Sequence, residues 1–236
     1  MQLSLRLSAI ADMVTRGNRL VDVGCDHGYL PVYLVQTGRI PGAVAMDIGK
    51  GPLSRAREHI EAYGLSAYIE CRLSDGLAAL RAGEGDTLVI AGMGGPLMEQ
   101  ILTRGRKVRD SFSELILQPQ SDIPHFRRYL AEEGYSIAEE NIVLDGGKFY
   151  PMMKAVKIEM PETTVTLTEE EALFGKFLLK QRHPVLKQYL EREKRIREQI
   201  LASLGEAKGD PASQRILEVR EERQRILAAL TYYESI

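Results

Sequence analysis

The chain has 236 residues, 44% hydrophobic and 27% charged, with a formal net charge of −2 and two cysteines. That length holds one α/β domain plus a smaller appendage, and the charge argues against a uniformly basic surface but leaves room for a local basic face. Cys25 and Cys71 lack metal-ligand spacing, no apolar run reaches bilayer length and the N-terminus has no signal-peptide core, so a cytoplasmic protein without disulfides, metal or membrane partner is expected.

Leu3, Leu7, Ile10 and Val14 recur at helical spacing and predict an opening helix over 3–14. Arg19–Pro31, RLVDVGCDHGYLP, then predicts a buried strand that enters a glycine loop and a helix. Ala43–Ile48 is a second strand, Gly51–Tyr63 a helix stopped by Gly64, and Tyr68–Leu73 a third strand ending in Ser74-Asp75-Gly76. Thr87–Ala91 is a fourth strand running into Gly92-Met93-Gly94-Gly95, and Glu114–Leu117 a fifth running into Gln118-Pro119-Gln120. Ile123–Glu133 predicts a helix stopped at Gly134, and Tyr135–Leu144 and Tyr150–Ile158 flank the hairpin signal Asp145-Gly146-Gly147. Such alternation means a parallel sheet covered on both faces, and its terminal hairpin favours a methyltransferase topology over a plain dinucleotide fold.

Composition changes after Met160, so two domains are expected, 1–160 and 161–236. Pro161–Thr168 reads as a polar linker. The charged, helix-forming tail is interrupted at Gly205–Pro211, which predicts an antiparallel helical hairpin. Leu186, Leu190, Ile196, Ile200 and Leu204 form the apolar stripe of its first arm, and Ile216, Val219, Ile226 and Leu230 that of its second. Pro184 is expected to break or kink the first arm.

The glycine loop has the spacing D-x-G-x-D-x-G, through Asp22, Gly24, Asp26 and Gly28. This is neither the G-x-G-x-x-G of a dinucleotide site nor a P-loop. A carboxylate at Asp26 repels phosphate, so the expected ligand is a nucleoside without a phosphate tail, and the cationic sulfonium of S-adenosylmethionine fits. In an open parallel sheet the ligand binds beyond the carboxyl ends of the strands. Four such ends carry suitable groups: Gly24, Asp26, His27 and Gly28; Asp47 for ribose hydroxyls; Ser74, Asp75 and Gly76 for an adenine amine; and the backbone-rich wall Gly92–Gly95. Asp22 is a further candidate cofactor contact, and structural readings stand beside these: Asp22 as a loop brace, Asp26 as a helix N-cap, His27 as a hydrogen-bonded structural residue, Met93 as packing against the cofactor and Cys25 as small filler.

DVGCDHGYLP, SDGL, IAGMGG and LILQPQSD, in that order, resemble the bacterial tRNA adenine-N1-methyltransferases of the TrmK type, which modify adenine 22. LSLRLSAIADMV is similar to that family's leading helix, with Arg6 at its characteristic arginine. The resemblance covers the whole chain. It implies a class I S-adenosylmethionine-dependent fold of seven strands, Rossmann-like, with a C-terminal coiled-coil domain that helps hold tRNA. The family's cofactor contacts fall on Gly24, Asp26, His27, Asp47, Ile48, Ser74, Asp75, Gly76, Ala91, Gly92 and Met93, and its important first-loop acid on Asp26. Asp47 stands where relatives can carry Glu.

Adenine N1 has an exposed lone pair once unpaired and needs no deprotonation, so the expected chemistry is an aligned in-line displacement. Asp26 is the expected orienting acid, with His27 and Arg6 as further candidates to hold the base. The fourth strand lacks the Pro-Pro run of exocyclic-amine methyltransferases, and IAGMGG lacks a nucleophilic cysteine. For RNA, the candidates are the basic run Arg104, Arg106, Lys107 and Arg109, and Lys187, Arg192 and Arg195 in the tail, where interleaved glutamates offer a solvated helix face as the alternative. A monomer is expected, with a weak dimer as the alternative. Other readings are a methyltransferase for another RNA base or a small molecule, and a non-catalytic RNA-binding protein on the same scaffold.

Overall fold

The computed structural model describes residues 1–158, 166–204 and 210–234. Seven strands make one sheet in the order β3-β2-β1-β4-β5-β7-β6. They are β1 (Leu20–Val23), β2 (Ala43–Asp47), β3 (Ile69–Leu73), β4 (Thr87–Met93), β5 (Glu114–Pro119), β6 (Tyr135–Asp145) and β7 (Lys148–Lys157). The first five are parallel, and β7 runs antiparallel to both β5 and β6. The expected parallel sheet with a terminal hairpin is therefore present, with strand ends shifted by a residue or two.

The parallel strands are apolar on both faces because each face meets helices. Leu20, Ala45 and Val89 pack with Ile10 of α1 (Leu5–Met13), Val32 of α2 (Tyr29–Gln36) and Ile60 of α3 (Lys50–Ala62). Their strand neighbours Val21, Val44 and Leu88 point the other way, onto Met98 and Ile101 of α4 (Gly95–Arg104) and Phe126 and Leu130 of α6 (Ile123–Glu132). A short α5 (Arg106–Arg109) follows α4. Because β1 and β4 are central and adjacent, the loops after them emerge side by side at the carboxyl edge.

Two compact units divide the chain, Met1–Thr166 and Leu167–Ile236. The expected boundary at 160/161 and most of the expected linker lie outside the described residues, as does most of the interruption at 205–211. The second unit holds α7 (Glu169–Phe174), α8 (Lys176–Lys180), α9 (Pro184–Leu204) and α10 (Asp210–Thr231). The first arm is thus three pieces rather than one. Gly175, at φ 91°, separates α7 from α8. Pro184 breaks the arm rather than kinking it, because it opens α9, where its missing N–H costs no helical hydrogen bond. α9 and α10 pair antiparallel: Tyr233 donates to the His183 carbonyl at 3.1 Å, and Arg197–Glu222 and Arg223–Glu198 pair further along at 2.9 and 3.1 Å. Leu186, Leu190, Val219 and Ile226 of the expected stripes are buried there.

One buried ion pair fixes α6 to the sheet: Arg127 Nε donates to Glu140 Oε1 of β6 at 2.9 Å, with both side chains shielded from solvent. Removing Glu140 takes a close charge partner from the buried Arg127. Glu140→Ala is expected to cost about 3–5 kcal/mol in urea unfolding, whereas an exposed control such as Glu132→Ala should cost under about 0.5 kcal/mol.

Candidate active site

At the end of β1 the chain turns sharply into α2. Gly24, Asp26 and Gly28 all adopt left-handed backbone, at φ 77°, 48° and 68°. A Cβ on Gly24 would collide with Met93 Cε, so this glycine is where the two central loops touch. Gly28 is the N-cap of α2, so Asp26 is not the cap. Aspartate is one of the few L-residues that tolerates the left-handed region, and here it keeps a glycine-like turn while adding a carboxylate.

β2 holds this turn in place. Asp47 Oδ2 accepts from the Asp26 N–H at 3.3 Å and Oδ1 from the Gly49 N–H at 2.8 Å. The Met46 carbonyl accepts from the N–H groups of Gly24 and Cys25 at 2.8 and 2.9 Å. The Asp26 backbone is therefore committed to the architecture while its side chain, 63% exposed, meets Arg55 at 3.2 Å and His27 Nε2 at 3.7 Å among the described residues. His27 stacks on Tyr29, which meets His59 edge-on, and His59 Nδ1 lies 3.1 Å from the His27 carbonyl. Beside Asp47, Ile48 leaves its apolar side chain 71% exposed, a surface suited to a flat ring.

Asp22 sits beneath the turn and is buried. Burial, then the nearby Asp47 charge, push its carboxyl up to about 7, with Arg6 acting in the opposite direction. The same burial raises the Cys25 thiol, which supports its reading as inert filler. Arg6 donates to Gln118 Oε1 at 3.1 Å and lies over the Tyr150 ring at 5.6 Å, while its backbone N–H donates to Asp145 Oδ2 at 3.0 Å. Gly92, at φ 80°, leaves room for that arginine, since a Cβ there would lie 3.2 Å from the guanidinium. Gln118, Tyr150 and Asp145 complete this wall and were not among the expected site residues. Their only signal was position, in a strand end rich in Gln and Pro and in a hairpin.

The other expected residues fall into distinct settings. Ser74 donates to the Gly76 carbonyl at 2.8 Å and accepts from the Ala79 N–H at 3.1 Å, so its hydroxyl shapes the turn that presents Asp75 and Gly76. Ala91, Gly92 and Met93 are half-buried at the end of β4. Arg6 and Asp26 make no direct contact among the described residues; they lie on the β5 and β2 sides of the first turn, respectively. Arg104, Arg106 and Lys107 are exposed, as are Lys187, Arg192 and Arg195 on α9. Arg109 corrects the expectation of a four-residue basic patch. It is 1% exposed, and its guanidinium is taken by Asp110 and Glu133 at 2.8 and 2.9 Å, so it is not available to a phosphate.

Comparisons with known proteins bear on this geometry. A family described as methyltransferase domain matches residues 3–153. The tRNA (adenine(22)-N(1))-methyltransferase of Bacillus subtilis is 31% identical over 228 residues, covering 96% of each chain. The chain belongs to the tRNA (adenine(22)-N1)-methyltransferase family. Two solved relatives carry the ligand class that the acidic turn favours. Streptococcus pneumoniae Sp1610 in complex with S-adenosyl-L-methionine is 33% identical, with TM-score 0.86 over 97% of this chain and 100% of that one. M. capricolum TrmK in complex with S-adenosyl-homocysteine is 26% identical, with TM-score 0.82 over 98% and 99%. Family membership bears out the class I S-adenosylmethionine-dependent fold.

The raised carboxyl of Asp22 makes a pH prediction. In the folded protein it keeps its proton until about pH 7, whereas an unfolded chain releases it near pH 4. Between those values the unfolded state binds fewer protons, so the ligand-free protein loses stability as pH rises. A cationic ligand favours the carboxylate. Calorimetric affinity for S-adenosylmethionine should therefore climb as pH rises towards about 7, by up to about tenfold per unit, and flatten above it. Asp22→Asn should flatten that dependence.

Proposed function

We infer that this chain transfers a methyl group from S-adenosylmethionine to N1 of adenine 22 in tRNA. The acidic, left-handed turn at Gly24–Gly28 carries the cofactor reading: it opposes phosphate and suits a positively charged donor. Asp22 lies where a cationic ammonium or sulfonium gains most from a buried carboxylate. Asp47 has a lone pair left on each oxygen for a ribose diol, and Ile48 offers its exposed face to the adenine ring. Asp75 is the candidate acceptor for the adenine amine. Gly24, Gly28, Gly76, Ala91, Gly92 and Met93 supply close backbone and packing contacts.

S-adenosylmethionine supplies an electrophilic methyl, and the adenine N1 lone pair takes it as the carbon–sulfur bond breaks and its electron pair stays on sulfur. No base is required. Positive charge grows on the adenine ring, and a carboxylate near its amine lowers the barrier and orients N1. Asp26 is our candidate for that role. Its pair with Arg55 is largely exposed and so cheap to displace. His27 and the Arg6–Gln118 wall are candidates for flanking the base. The target base must leave its stack, at about a few kcal/mol. Arg104, Arg106, Lys107, Lys187, Arg192 and Arg195 are exposed cations suited to RNA phosphates. The reaction belongs in the cytoplasm, with the chain acting as a monomer; among the described residues no helix is long and apolar enough to cross a membrane.

Tritiated methyl transfer to total tRNA, followed by nucleoside analysis, should yield 1-methyladenosine. Label in another nucleoside, or none, contradicts the reading. Asp26→Ala should lower kcat about 100-fold, a larger effect than its accompanying loss of cofactor affinity. Full turnover removes Asp26 from the chemistry, and lost affinity with normal kcat makes it a binding residue.

A further inference from the structure

Beside the third strand end, a groove of about 570 Å³ opens between the Asp75–Leu80 turn and the outer side of α4 and α5. Its volume is in the range of small-ligand pockets, about 300–1,000 Å³. The floor is apolar: Leu77 and Leu80 are buried, and Leu97 leaves 49% of its surface open to solvent. α4 closes on the turn because residue 105 is glycine; a Cβ there would lie 2.6 Å from Leu77 Cδ1. The rim is cationic. Arg104 reaches Asp75 only at 4.0 Å and Arg106 reaches Glu133 only at 3.8 Å, both strongly exposed, and Lys107 makes no ion pair among the described residues.

We propose that this groove captures a second unstacked nucleotide of the tRNA, next to the adenosine being methylated. The proposal rests on the tRNA reading above. An apolar slot with exposed, loosely paired cations at its mouth suits a body that is flat and apolar on its faces and anionic at one end. A nucleotide has that form. Presenting N1 requires the target adenosine to leave its partner and its stack, which leaves a neighbouring base without cover. The groove shares Asp75 with the carboxyl edge of the sheet, so that base has a short path to it. Leu97 covers one of its faces, and Arg106 and Lys107 hold its phosphate.

The test compares Leu97→Ser and Lys107→Ala with the unaltered protein, using an unmodified tRNA transcript that contains A22 and S-adenosylhomocysteine. Leu97 is exposed, so its replacement leaves the fold intact, which a melting curve checks. Leu97→Ser should weaken tRNA retention on filters about fivefold or more and raise KM for tRNA alike, with S-adenosylhomocysteine affinity within about twofold. Lys107→Ala should weaken binding and reduce the salt slope by about one. Three results overturn the proposal: unchanged tRNA binding in Leu97→Ser, an effect of Lys107→Ala without one of Leu97→Ser, or lost S-adenosylhomocysteine affinity with tRNA binding retained, which would give the groove to the cofactor. Filter retention needs no methyl transfer, so a failure of the proposed reaction remains separable from a failure of the groove.

Discussion

The site depends on one clasp. A carboxylate at the end of β2, Asp47, takes the Asp26 N–H on one oxygen and the Gly49 N–H on the other. It thereby fixes two neighbouring turns relative to each other, and with them the edge on which a nucleoside would rest. Left-handed backbone at Asp26, the one non-glycine of the three, would be costly in an unsupported loop. Here the Met46 carbonyl and Asp47 hold the turn on one side and Met93 crowds it on the other, so the conformation is determined by its neighbours.

That arrangement divides labour within single residues. Asp26 spends its backbone on the turn and leaves its carboxylate exposed, whereas Asp22, one turn deeper, is exposed to the field of its neighbours but hardly to water. Asp22 and Asp47 act on each other, with Arg6 opposing them at Asp22, so the ends of β1 and β2 resist anions and gain stability from a cation. Arg6 is in turn steered by Gln118, Tyr150 and Asp145, so the first helix is tied to the hairpin at the far edge of the sheet. The chemistry assigned to the edge thus draws on residues more than a hundred positions apart in the chain.

Much of this was legible in the residues themselves. Strand and helix alternation, glycine stops and the terminal hairpin mark the sheet, because burial on both faces writes long apolar runs into the parallel strands. The acidic glycine turn and the acid closing β2 could be read from spacing. What could not be read was direction. Arg109 looks like its neighbours Arg104, Arg106 and Lys107, yet the short α5 turns it inward to Glu133, a partner 24 positions away. Gln118 gave no sign of meeting Arg6, because that contact exists only once α1 packs on the sheet face beside β6 and β7. Gly175 splits the helical arm through its own backbone conformation, which composition does not reveal.

The most direct test is calorimetric titration of S-adenosylhomocysteine into Asp47→Ala beside the unaltered protein. If the clasp organises the edge, the variant loses two backbone partners and the acceptor proposed for the ribose together, and affinity falls by about 2 kcal/mol or more, roughly thirtyfold, with a melting curve still showing a folded domain. Affinity within about twofold of the original in a folded variant would contradict the account.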